Sequence, residues 1–95
     1  MQKIGVFDSG IGGLTVLKEL MRLLPGVDMV YLGDSARLPY GTKSSKTIVR
    51  YSLQCARFLI SKGIDMLVVA CNTASAHSIA ALKDEFHIPV GGVIA

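Results

Sequence analysis

The chain has 95 residues, of which 51% are hydrophobic and 6% aromatic, with no tryptophan. That length allows one domain around a modest aliphatic core, and the composition excludes disorder. The net charge of +3 comes from scattered Lys and Arg with no stripe interleaved with aromatics, which argues against nucleic acid as a partner.

Lys3 to Phe7 reads as a short buried strand ending at Asp8, and Ser9-Gly10-Ile11-Gly12-Gly13 as a glycine-rich turn. Leu14 to Leu24 reads as an amphipathic helix with Leu14, Leu17, Leu20, Met21 and Leu24 on one face, stopped by Pro25-Gly26. Asp28 to Leu32 is a second strand, followed by Gly33-Asp34-Ser35. Ala36 to Ser44, with Pro39 and Gly41, reads as a loop. It is longer than the usual βα connection of about 2–6 residues, and such loops often carry function.

A helix from about Ser45 to Lys62 should bury Ile48, Tyr51, Cys55, Phe58 and Leu59, with Gly63 at its C′ position. Ile64 to Ala70 is a third strand, Thr73 to Phe86 a third helix, and Ile88 to Ile94 the start of a fourth strand. The order β-α-β-α-β-α-β implies an α/β fold, an open parallel sheet with flanking helices and right-handed crossovers. Three helices leave part of such a sheet uncovered, so residues 1–95 read as a portion of a larger α/β domain or a half that needs a partner.

Two cysteines without CxxC spacing make neither a disulfide framework nor a zinc site, and a reducing cytoplasm is the expected compartment. The apolar run at the N-terminus is too short for a signal peptide, and no run reaches the roughly 20 apolar residues of a membrane helix. The expectation is therefore no membrane, no nucleic acid and no metal.

In a parallel sheet the carboxyl ends of the strands share one edge, where ligands bind. Asp8-Ser9, Gly33-Asp34-Ser35 and Cys71-Asn72-Thr73 all fall there. Cys71 ends a buried strand just ahead of a helix N-terminus, whose partial positive charge favours a thiolate. A buried structural cysteine is the plain alternative. The glycine-rich turn fits neither the dinucleotide pattern, because Thr15 stands where the third glycine belongs, nor the P-loop. It is either an anion-facing loop or a tight βα turn. Asp8 can orient a thiol or shuttle its proton, or cap the first helix. Asp34 reads as a capping or turn residue and Cys55 as core. His77 and His87 read as surface or capping residues, and His77 should point along its helix rather than back to Cys71, against a cysteine hydrolase.

Asp8-Ser9-Gly10-Ile11-Gly12-Gly13-Leu14-Thr15, Gly33-Asp34, Pro39-Tyr40-Gly41 and Ala70-Cys71-Asn72-Thr73-Ala74 together resemble the glutamate racemases of the aspartate/glutamate racemase superfamily, in order and spacing, over nearly the whole chain. The resemblance implies one half of a two-domain, pseudo-symmetric enzyme that interconverts L- and D-glutamate without cofactor and supplies D-glutamate for peptidoglycan. It implies that Cys71 is one of two catalytic cysteines acting on opposite faces of the substrate Cα, with Asp8 assisting. It further implies that Ser9, Tyr40, Gly41, Asn72 and Thr73 bind the substrate. The second cysteine of that pattern lies in a Cys-Thr-His run of the other half, and no such run occurs here. The partners implied are glutamate, the carboxy-terminal half and a second copy in a homo-oligomer. These 95 residues alone are expected to be inactive. An aspartate racemase, or an anion-binding α/β module without turnover, are the other readings.

Overall fold

Burial on both faces from Ile4 to Asp8 marks strand β1 (Lys3–Asp8) as central in its sheet. The computed structural model describes residues 2–9, 13–37 and 40–92. β1 pairs in parallel with β2 (Asp28–Gly33) on one side and with β3 (Met66–Val69) on the other, and β3 pairs in parallel with β4 (Val90–Gly92). The strand order is β2-β1-β3-β4. The connections are α1 (Gly13–Leu23), α2 (Ser45–Ser61) and α3 (Asn72–Glu85), the alternation read from the sequence. Ala36 to Ser44 is more ordered than a plain loop, since 3-10 turns occupy Ser35–Arg37 and Tyr40–Thr42. Gly10 to Gly12, Leu38, Pro39 and the end of the expected fourth strand lie outside the described residues.

Alternation along the strands sorts the core into two layers. Phe7, Leu67, Val69 and Val90 face α2 and α3, joined by Ile48, Cys55, Leu59, Ala74 and Leu82. Ile4, Val6 and Val68 face α1, which contributes Val16, Leu17 and Leu20. Local signals place the helix ends. Ser44 accepts from the Thr47 amide at the start of α2, and Gly63, at φ 81°, turns the chain after it.

Two expectations need correction. The apolar stripe of α1 is split: Leu17 and Leu20 are covered, whereas Leu14, Met21 and Leu24 are exposed. Among the described residues α1 is the one helix on its face, so only the side turned to the sheet is buried. Phe58 is not interior either; it lies at the surface with the Lys62 ammonium 5.0 Å from its ring centroid. Ser52 and Ala56 take the inner positions, because α2 and α3 approach closely enough for the hydroxyls of Ser52 and Ser78 to meet at 2.8 Å. The thin cover expected for the sheet is also found on the α1 side, where Met66 is partly exposed beside Gly91.

Candidate active site

The order β2-β1-β3-β4 creates a switch point, because the chain leaves β1 toward one edge and β3 toward the other. A crevice opens at the carboxyl ends of such a strand pair, and ligands of open α/β sheets bind there. The amide of Ala70 donates to the carbonyl of Phe7 at 2.8 Å and ties the two strand ends together. Beyond that bond stand Asp8 at the end of β1, Ser9 just after it, and Cys71 after β3.

Cys71 is the N-cap of α3, in extended conformation, with its thiol buried. Its sulfur accepts from the Ala74 amide at 3.5 Å and donates to Ser9 Oγ, also at 3.5 Å. Caps are usually Ser, Thr, Asp or Asn. A thiol in that role sets its sulfur against the first-turn amides of α3. The Ser9 hydroxyl accepts from the thiol and, by rotating, donates to the thiolate. Both protonation states are thus served by one pair of neighbours. Asn72 and Thr73 form the first turn of α3, Asn72 exposed and Thr73 half-buried.

Asp8 is the last residue of β1 and lies on the same face as Val6, toward α1. Its carboxylate is fully buried. Oδ1 accepts from the Tyr31 hydroxyl at 2.9 Å. Oδ2 lies against the first residue of α1, so closely that a Cβ on Gly13 would fall 1.7 Å from it. The sequence-based choice between a helix-capping and a thiol-orienting Asp8 meets a carboxylate seated at the start of α1. The described contacts to the thiol come from Ser9 and Ala74.

Tyr40 and Gly41 divide their roles. The Tyr40 ring is buried in the α2–α3 layer, 5.8 Å from the Tyr51 ring, and its hydroxyl donates to Asp34 Oδ2 at 2.5 Å. Burial, then Asp34, raises the pKa of that hydroxyl and keeps it protonated. The Arg37 guanidinium lies 4.3 Å from the Tyr51 ring centroid, with Nε 3.7 Å from Asp34 Oδ2. Asp34 therefore does more than shape a turn; it anchors the Tyr40–Thr42 segment. Gly41 is exposed, and a Cβ there would meet nothing within 4 Å. Of this pair, Gly41 is exposed, and Tyr40 is buried with its side chain committed to the core.

Cys55 is core, as the sequence indicated. Burial, followed by the Asp34 charge, pushes its thiol up to about 12, so it holds its proton at neutral pH. His77 Nδ1 lies 3.0 Å from Ser45 Oγ at the start of α2, away from Cys71. Among the described residues no group of three His, Cys, Asp or Glu can hold a metal ion, and no helix is long and apolar enough to cross a membrane.

Sequence reasoning missed Tyr31 and the packing role of Gly13. Tyr31 sits in β2 opposite Val6, and only the strand register brings its hydroxyl to Asp8.

No protein-family model matches the chain. The glutamate racemase of Aquifex aeolicus is 64% identical over 92 residues, 97% of this chain and 36% of that protein. The solved glutamate racemase from Aquifex pyrophilus superposes with a TM-score of 0.96 at 61% identity, covering 98% of this chain and 37% of that one. The Francisella tularensis glutamate racemase, solved in complex with D-glutamate, gives a TM-score of 0.90 at 50% identity over 98% of this chain and 36% of that one. The chain spans about a third of the length of these relatives. Over nearly all of its residues it is a homologue of the amino-terminal third of the glutamate racemases and has the α/β fold of that portion.

Proposed function

We propose that this chain is the amino-terminal portion of a cofactor-independent glutamate racemase, and that Cys71 is one of its two catalytic cysteines. The observation that carries the reading is the Cys71 thiol itself. It caps α3 at the β1/β3 switch point, between the Ser9 hydroxyl and the Ala74 amide. Cys71 as thiolate takes the Cα proton of one glutamate enantiomer. The electron pair left on Cα delocalises into the α-carboxylate, and a second thiol returns a proton from the opposite face. Run in reverse, the second cysteine is the base and Cys71 the acid. The free amides at the start of α3, with Asn72 and Thr73, suit the substrate carboxylate as charge builds on it. The Tyr40-Gly41 main chain closes the other side, and Asp8 assists proton transfer at Cys71.

Cys55 does not supply the second base, because it is buried and keeps its proton. The second thiol then belongs to the carboxy-terminal half, and residues 1–95 alone do not racemise glutamate. In the cell the product D-glutamate would serve peptidoglycan synthesis in the cytoplasm.

The test is Cα exchange in D2O, followed by NMR, with D-glutamate, L-glutamate and D-aspartate. The enzyme is residues 1–95 completed by the remaining two-thirds of the Aquifex aeolicus protein. Deuterium should enter both glutamate enantiomers and not D-aspartate. Cys71→Ser keeps a good helix cap, so it should fold while losing exchange by at least about 100-fold. Wild-type exchange in Cys71→Ser would refute the assignment. Glutamate binding without exchange, surviving Cys71→Ala, would identify an anion-binding module instead.

A further inference from the structure

Asp8 is a fully buried carboxylate at the end of a central strand. Three elements shape its surroundings. From β2, the Tyr31 hydroxyl donates to Oδ1 at 2.9 Å. From α1, Gly13 closes on Oδ2 at a distance no side chain would permit. At the end of β2, Gly33 leaves room for the pair: a Cβ there would lie 3.1 Å from the Tyr31 hydroxyl oxygen and 3.5 Å from Asp8 Oδ1. The amide of Asp34 donates to the Asp8 carbonyl at 2.9 Å, so the end of β2 that carries this arrangement is bonded to Asp8 itself.

We propose that Tyr31 is a positioning residue of the racemase site, holding the Asp8 carboxylate in one orientation at the carboxyl end of β1. The proposal rests on the reading of Asp8 as the group that assists proton transfer. Tyr31 belongs to the α1-side core layer, and its ring packs there whatever its hydroxyl does. The hydroxyl is the part without a packing role. Burial and the Asp8 carboxylate push its titration up to about 12, so it stays a donor throughout the neutral range. With Oδ1 on the Tyr31 hydroxyl, the Asp8 carboxylate keeps one orientation at the end of β1. Loss of the hydroxyl removes that bond and disturbs the carboxylate's orientation without touching the substrate.

Tyr31→Phe removes one oxygen and keeps the ring. In the completed enzyme described above, kcat should fall by roughly 10- to 100-fold, the scale of a small misplacement near reacting atoms. KM should stay within about twofold, because no binding contact is lost. In an Asp8→Asn background the same change should have no further effect. An equal fall in that background, or an unchanged kcat, overturns the proposal. A second readout needs no turnover: in 13C-tyrosine NMR of the chain, Asp8→Asn should move the Tyr31 titration from about 12 part of the way to the ordinary 10. A titration that does not move overturns the pairing. Wild-type exchange in Cys71→Ser would sink the racemase reading instead and leave the titration result standing.

Discussion

Gly41 separates fold from function at the scale of one residue. Its φ is not positive, and a Cβ would meet nothing within 4 Å, so neither conformation nor packing calls for glycine there. A methyl group at that position takes entropy from the unfolded chain, and Gly41→Ala should leave stability unchanged or raise it by about 0.4–1 kcal/mol. If the Tyr40-Gly41 main chain borders the substrate, the same methyl intrudes on the ligand. The completed enzyme should then show a raised KM for glutamate with the urea midpoint maintained. An unchanged KM would remove Gly41 from the site. The candidacy of Cys71 was legible in the sequence, because an apolar run ending in Cys-Asn-Thr ahead of a helical segment already puts a thiol at a strand end. The split within Tyr40-Gly41 was not. Nothing in a one-dimensional pattern says that the tyrosine ring turns into the core toward Asp34 while its neighbour faces outward.

Among the elements, α1 shows how a local rule yields to a tertiary contact. Alanine is a better helix former than glycine by about 1 kcal/mol, so Gly13 looks replaceable from the helix alone. Its Cβ, however, would stand 1.7 Å from Asp8 Oδ2 and 2.7 Å from Asp8 Cβ. Either α1 tilts away from the sheet or Asp8 leaves its bond to Tyr31. Gly13→Ala should therefore destabilise by about 1–3 kcal/mol despite its propensity, read as a lower urea midpoint. A variant more stable than the parent would mean that α1 does not close on Asp8. The helices and strands themselves were readable from periodicity, Pro25-Gly26 and Gly63, and their limits differ from the structure by a few residues at most. What periodicity leaves open is how much of an apolar stripe the neighbours cover. The exposed Leu14 and Met21 on α1, and Phe58 on α2, are set by which helices stand beside them.

For the molecule as a whole, strand order decides where chemistry can happen, and alternation of strands and helices does not give that order. β1 lies between β2 and β3, so Asp8, Ser9 and Cys71 gather at one switch point, an arrangement made by pairings between residues more than 50 positions apart. The same packing holds three weakly acidic groups in their protonated forms, Cys55 and Tyr40 buried and Tyr31 half-buried. The Cys55 thiol is moved from 9.0 to about 12 and the Tyr31 hydroxyl from 10.0 to about 12, and Tyr40 is raised further by burial and Asp34. Each pKa is higher in the folded state than in the unfolded one. The unfolded chain therefore loses protons first as the pH rises, and folding holds on to them. The stability associated with Cys55 and Tyr31 is complete below about pH 9, declines from there, and is gone once these two have titrated near 12, while the Tyr40 share persists to higher pH. Urea unfolding followed by circular dichroism should give a midpoint that is flat from about pH 7 to 8.5 and falls steadily toward 11. Tyr40→Phe removes one of the three groups and the Asp34 contact, so the variant should start less stable and lose less between the same limits. A midpoint that rises above pH 9 would show that these groups are not held in the protonated state by the fold.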